Sequence, residues 1–163
     1  MRSFKVRNVN ETMAHILMKE TFDHFLVSEI KILGKVNFHL IGTPSEGFFS
    51  EEELDESGYV SYGSVREICF HMIKGDKTPD NFTFMFLLPK KKVEEFVENC
   101  DSTLQPMDVE NLSFLIRFKD RELSITTGSS LRIFTMDKSL NSAWDKWVES
   151  FLENHGFDLE EQM

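Results

Sequence analysis

Cysteine is scarce in this 163-residue chain: Cys69 and Cys100 are the only two. Two widely spaced thiols make neither a disulfide framework nor a zinc knuckle. Each falls on an apolar helical stripe, the pattern of a buried free thiol. Basic residues are also in deficit, with 18 Lys and Arg against 28 Asp and Glu and a net charge of −10. A grip on phosphate backbones needs clustered cations, and Arg66, Lys74, Lys138 and Lys146 are scattered. The composition therefore argues against nucleic acid as a partner, and likewise against anionic lipid. No stretch approaches the roughly 18–20 apolar residues of a membrane span. The opening Met1-Arg2-Ser3-Phe4-Lys5 lacks the apolar centre of a secretory signal. These absences together imply a cytoplasmic protein. Catalytic signatures are missing too: there is no nucleophile elbow, His-Glu-x-x-His, dinucleotide fingerprint or paired-cysteine motif. The sequence assigns no catalytic residue, no metal ligand and no cofactor, and it leans away from an enzyme.

What the chain has in excess is phenylalanine, 16 residues against 2 Trp and 2 Tyr. The densest stretch is Phe82-Thr83-Phe84-Met85-Phe86-Leu87-Leu88, preceded by Asp80-Asn81 and stopped by Pro89. A short, Phe-rich apolar run closed at both ends predicts a strand buried on both faces. Burial of one Phe contributes about 1.5–3 kcal/mol, so this strand is the expected keel of the core.

The remaining elements are laid out around it. Phe4–Arg7 alternates as a short strand, and a helix carrying Met13, Ile16 and Leu17 follows. Phe25–Leu33 and Val36–Ile41, joined at Gly34-Lys35, read as a hairpin. In it Phe25, Val27 and Glu29 face one way and Leu26, Ile30 and Ile32 the other. Residues 43–58 hold Pro44, Gly47 and the run Glu51-Glu52-Glu53-Leu54-Asp55-Glu56, an exposed acidic loop. Tyr59–Tyr62 reads as a short edge strand. Ser64 and Glu67 match a capping box ahead of the stripe Val65, Ile68, Cys69, Met72 and Ile73. Lys90-Lys91-Lys92 opens the next helix. Two alternating runs, Leu112–Phe118 and Leu123–Thr127, form a second hairpin. Thr126–Ser130 reads as a turn and Leu131–Met136 as a third strand. The stripe Leu140, Ala143, Trp144, Trp147, Val148, Phe151 and Leu152 predicts the last helix, followed by an acidic tail over 156–163.

This order repeats. Strand, helix, hairpin, short strand and helix occur over residues 1–78 and again over 79–155. The fold class expected is α+β: one domain over 1–163 built as a duplicated unit, with two mostly antiparallel sheets joined edge to edge or packed together, and helices on one side. The duplicated order resembles the half-domains of DNA sliding clamps and, less closely, of the TATA-binding protein. That resemblance is topological and carries no residues across. A closer resemblance rests on Glu20-Thr21-Phe22-Asp23 with Phe25-Leu26, Ile73-Lys74-Gly75 with Thr78-Pro79, and Thr126-Thr127-Gly128 running on through Leu131, Phe134 and Asp137–Leu140 to Trp144-Asp145. These segments are similar to a bacterial, mainly clostridial, family described only as a domain of unknown function. The resemblance implies one cytoplasmic domain of bacterial source and no stated activity.

Several residues stand as candidate sites. Lys90, Lys91 and Lys92 converge on a helix start, where backbone N–H groups and ammonium groups together suit an anion or an acidic partner. His39, His71, Lys74 and Asp76 would line a pocket if the fold brought the two halves together. Phe48 and Phe49, adjacent aromatics in the acidic loop, either pin that loop to the body or form a contact surface. The favoured reading is a non-catalytic binding or assembly module meeting a protein partner or a second copy of itself. The alternatives are a small-ligand binder or enzyme with a pocket between the halves, and a clamp-like DNA-associated factor.

Overall fold

A computed structural model describes residues 1–75 and 77–162. Seven strands form one antiparallel sheet: β1 (Ser3–Val6), β2 (Leu26–Leu33), β3 (Asn37–Ile41), β4 (Asn81–Leu87), β5 (Val109–Lys119), β6 (Glu122–Leu131) and β7 (Leu159–Gln162). Their spatial order is β3-β2-β4-β5-β6-β1-β7. Four helices, α1 (Val9–Leu17), α2 (Arg66–Ile73), α3 (Lys90–Glu98) and α4 (Ser139–Asn154), complete the α+β fold.

The Phe-rich run is β4, and it bonds to both hairpins, β2 on one side and β5 on the other. Phe82, Phe84 and Phe86 are fully buried. Asn81, Thr83 and Met85 on the opposite face are only half-buried. The strand is thus covered on one face, not both, because every helix contributes its apolar side to the same core. Phe22 stacks on Phe86 at 5.3 Å and Tyr62 meets Phe86 edge-on at 5.0 Å. The two sheets expected from the repeated order are one continuous sheet. Element types do recur along the chain, but pairing does not follow them. β4 joins both hairpins, whereas β1 lies between β6 and β7.

Other departures have local causes. A bulge between Val27 and Glu29 shifts the register of β2. Val27 therefore joins Ile30 and Ile32 on the buried face, while Leu26 and Glu29 turn to the other side. Val36 precedes β3 and is exposed, and Ile68 is exposed on α2. Residues 59–62 form no strand beyond a single bridge from Ser61 to Leu26. Tyr62 instead starts a 3₁₀ turn, fully buried, with its hydroxyl donating to the Ile16 carbonyl at 2.7 Å. Ser64 and Glu67 form no capping box: Val65 is the N-cap of α2, and the Ser64 hydroxyl donates to the Ser61 carbonyl.

Thr126–Ser130 is not a turn but the second half of β6, where Thr127 is buried and donates from its hydroxyl to the Asp145 carboxylate at 2.5 Å. Residues after Leu131 leave the sheet, so the expected third strand is absent and Phe134 stands 90% exposed. Asp137 accepts from the Ser139 backbone N–H at the first turn of α4. The acidic tail closes onto the sheet. Leu159–Gln162 pairs with β1, and Arg2 forks onto Glu161 while reaching Glu149. No described helix is long and apolar enough to cross a membrane.

Candidate functional site

An open hollow lies between the acidic loop, one side of α3 and the exposed side of α4. It has a volume of about 1130 Å³. Its floor is aromatic, from Phe25, Phe96, Trp147 and Phe151. One wall is Glu51–Glu56 and the other is Lys91, Lys92, Glu95 and Asn99. Residues from both ends of the chain order thus meet in one groove.

The floor is built by helical spacing. Trp144, Trp147 and Phe151 lie three and four residues apart on α4, so their rings project from one face. Trp147 stacks on Trp144 at 5.2 Å and on Phe151 at 5.3 Å, both nearly parallel. Trp144 anchors the stack: it is buried, and its indole N–H donates to the Ser113 carbonyl at 2.9 Å. Phe96 of α3 meets Trp144 edge-on at 5.5 Å, and Phe25 meets Phe151 edge-on at 5.2 Å. Trp147 remains 36% exposed in the middle of this locked array. An apolar surface held by its neighbours loses little side-chain freedom on binding.

The floor's other flank, Thr21–Leu26, is held by an ion pair. Arg66 of α2 forks onto the Asp23 carboxylate at 2.8 and 3.2 Å. Arg66 thereby ties α2 to the segment that carries Phe25.

The walls explain the Lys run. Cations in a first helical turn oppose the helix dipole, and α3 begins at Lys90 with Pro89 as N-cap and no side-chain cap of its own. The missing acceptor comes from the acidic loop. Asp55 receives the Lys90 backbone N–H at 3.4 Å, and Glu56 lies 3.8 Å from the Lys90 ammonium. Lys92 pairs with Glu95 one turn on at 3.7 Å. The anion at this helix start is therefore the chain's own loop.

The other candidates are dispersed. His39 lies on the uncovered face of the sheet, 2.9 Å from the Glu29 carboxylate, which Lys31 also contacts at 2.9 Å. These contacts, the Lys31 hydrogen bond foremost, hold Glu29 below the usual carboxylate range. His71 is exposed on α2 with its ring against Phe70, and the Lys74 ammonium lies 5.3 Å over that same ring. His39, His71 and Lys74 do not line the groove. Asp76 lies outside the described residues. Among the described residues no group of three or more His, Cys, Asp and Glu converges as a metal site. Phe48 and Phe49 pack on each other at 5.6 Å, and Phe48 stays 77% exposed, so the pair does not pin the loop to the core. Cys69 is buried and Cys100 half-buried, both free. Burial pushes the Cys69 thiol up to about 12.

Trp147 and Phe151 were visible in the sequence only as part of a core stripe. The signal that marks them as surface is width: the stripe of α4 is broader than one buried face requires.

Residues 15–160 match a family of unknown function (DUF5721). No curated protein and no solved structure matches the chain.

Proposed function

Taking as premise that this chain belongs to the family of unknown function DUF5721, we propose that it is a non-catalytic binding module that docks a segment of a protein partner in the aromatic groove. The observation that carries this reading is the exposed Trp147, stacked between Trp144 and Phe151, in the lining of a groove of about 1130 Å³. Small-molecule sites run to about 300–1,000 Å³ and close around their ligand. A groove that stays open along its length fits a length of chain better than a metabolite. Large aromatics fixed in place are the side chains that carry most of the energy at protein interfaces.

The acidic composition and the lack of a described membrane-crossing helix support a cytoplasmic setting, and the family resemblance a bacterial one. The repeated order of elements supports a duplicated origin within one domain. It is also the only support for a clamp-like association with DNA, and six carboxylates along the groove oppose phosphate.

Affinity capture tests the reading. The wild-type chain and a Phe134→Ala variant, altered away from the groove, should retain the same partner, and Trp147→Ala should lose it. A partner retained equally by all three places the contact elsewhere. A thermal shift with nucleotides or metal ions alone would favour the small-ligand alternative instead.

A further inference from the structure

We infer that the segment docked in the groove is basic and amphipathic, with apolar side chains on Trp147 and Phe151 and its Lys or Arg side chains turned toward Glu51, Glu52 and Glu53. This rests on the docking reading above and adds the chemistry of the occupant.

Three observations lead there. The first is charge. Six acids line the groove, Glu51, Glu52, Glu53, Asp55, Glu56 and Glu95, against two lysines, Lys91 and Lys92. The second is how those charges are already used. On the α3 side the pairs Lys90–Glu56 and Lys92–Glu95 are internal. Among the described residues no cation lies within ion-pair reach of Glu51, Glu52 or Glu53, all exposed. The unneutralised field therefore belongs to one wall. A partner positive along one flank gains attraction there and avoids Lys91 on the other. Electrostatic complementarity of this kind sets orientation and speeds encounter.

The third observation disfavours the usual alternative for a cation beside aromatics. Cation–π recognition needs an open ring face. The Trp147 ring is stacked on Trp144 and on Phe151, with planes within 8° and 10°. Those two neighbours occupy much of its faces, so little open face is left for a cation. Cationic groups are thus directed to the carboxylates, and the floor is left for aliphatic or aromatic contacts. Apolar anchors on one face with charges beside them describe the amphipathic helix-in-groove mode of recognition.

The probe is a short synthetic helix-forming peptide with Leu on one face and Lys along one flank. It is compared with two versions carrying Gln or Glu in place of Lys. Binding to the full chain is followed by polarisation of a labelled peptide and by tryptophan emission. The Lys peptide should bind, weaken as salt shortens the Debye length from about 10 Å at 0.1 M, and exceed the Gln peptide by about tenfold. The combined Glu51→Lys, Glu52→Lys and Glu53→Lys variant, altered only on the exposed loop, should lose that advantage and favour the Glu peptide. Trp147→Ala should weaken all three peptides.

Equal binding of the three peptides, still dependent on Trp147, would overturn the basic partner and leave the docking reading standing. Lys-peptide binding that ignores Trp147 and disappears with salt would also overturn it, as attraction to the acidic loop alone. No Trp147-dependent binding by any peptide would remove both.

Discussion

Replacing Gly42 by alanine should be among the most destabilising single-methyl additions in this protein. A Cβ at that position would stand 1.6 Å from the Val27 carbonyl oxygen and 2.6 Å from its carbon. Carbon and oxygen approach no closer than about 3.3 Å even in their attractive C–H···O contacts. Both offending atoms are main chain, so no rotamer relieves the overlap. The surroundings cannot yield cheaply. The Gly42 N–H donates to the Ser28 carbonyl at 2.9 Å and the Val60 N–H donates to the Gly42 carbonyl at 2.9 Å. The Val27 N–H in turn donates to the Val60 carbonyl at 3.0 Å. Separating residue 42 from residue 27 strains all three bonds. Losing two costs about 2 kcal/mol net, and overpacking adds about 1–3 kcal/mol. The expected loss is about 3–5 kcal/mol out of a typical total of about 5–15 kcal/mol. Urea denaturation of Gly42→Ala beside Gly75→Ala, where the added methyl meets open space, measures it. The bonds at Gly42 and Val60 also close the base of the acidic loop, so tryptophan emission should change in the native state of the variant. Stability within about 0.5 kcal/mol of wild type, the usual range of neutral surface changes, would refute the argument and with it the closeness of the loop base to the bulge in β2.

Phe86→Ala removes a ring in contact with Phe22, Tyr62 and Phe114 and should cost about 3–5 kcal/mol by the same assay. Arg121→Gly should be stabilising, by about 1 kcal/mol. Asp120 and Arg121 form the two-residue turn between β5 and β6 with φ of 53° and 63°, a conformation that penalises side chains. A lower urea midpoint for this variant would refute that. The Cys69 thiol is held protonated by burial up to about 12, against an ordinary value of 9.0. The folded state therefore binds the proton that the unfolded state releases. Its contribution is intact below pH 9 and stability falls as pH rises from there. Cys69→Ala should flatten that alkaline decline. Iodoacetamide should modify Cys69 at neutral pH only after denaturation, and labelling of the native chain would count against its burial.

The sheet was legible because its signals are local. Strict alternation in Leu112–Phe118 and the Phe spacing of residues 82–86 put these residues on the buried face, as observed. Three misreadings share one cause, contacts from distant parts of the chain. The Thr–Gly–Ser run 126–130 has turn composition, yet β5 supplies its ladder bonds and Asp145 its buried hydroxyl partner. Leu159–Gln162 is too acidic to read as a strand alone, yet Arg2 just before β1, Lys5 on it and Arg7 just beyond it supply the opposite charges nearby. Tyr62 looks like an edge residue until the Ile16 carbonyl, 46 residues away, is there to receive it. The double-sided burial expected of β4 failed for the opposite reason. Composition shows how apolar a strand is, but not whether a second layer exists to cover it.

The groove was illegible as a unit, although its parts each broke a local rule. Three lysines at a helix start oppose the dipole, a run of acids in a loop repels itself, and a tryptophan on a core stripe remains exposed. Departures from local preference are where function is expected, because they cost stability that something else must offset. Part of the offset is internal: Asp55 and Glu56 satisfy the start of α3, which relieves Lys90 and holds the loop against the helix. That pairing accounts for Lys90 and for two of the loop's acids. It leaves Glu51, Glu52 and Glu53 exposed in the same groove as the exposed Trp147, and among the described residues no cation pairs with those three carboxylates. A partner that brings cations and apolar side chains together would relieve both at once.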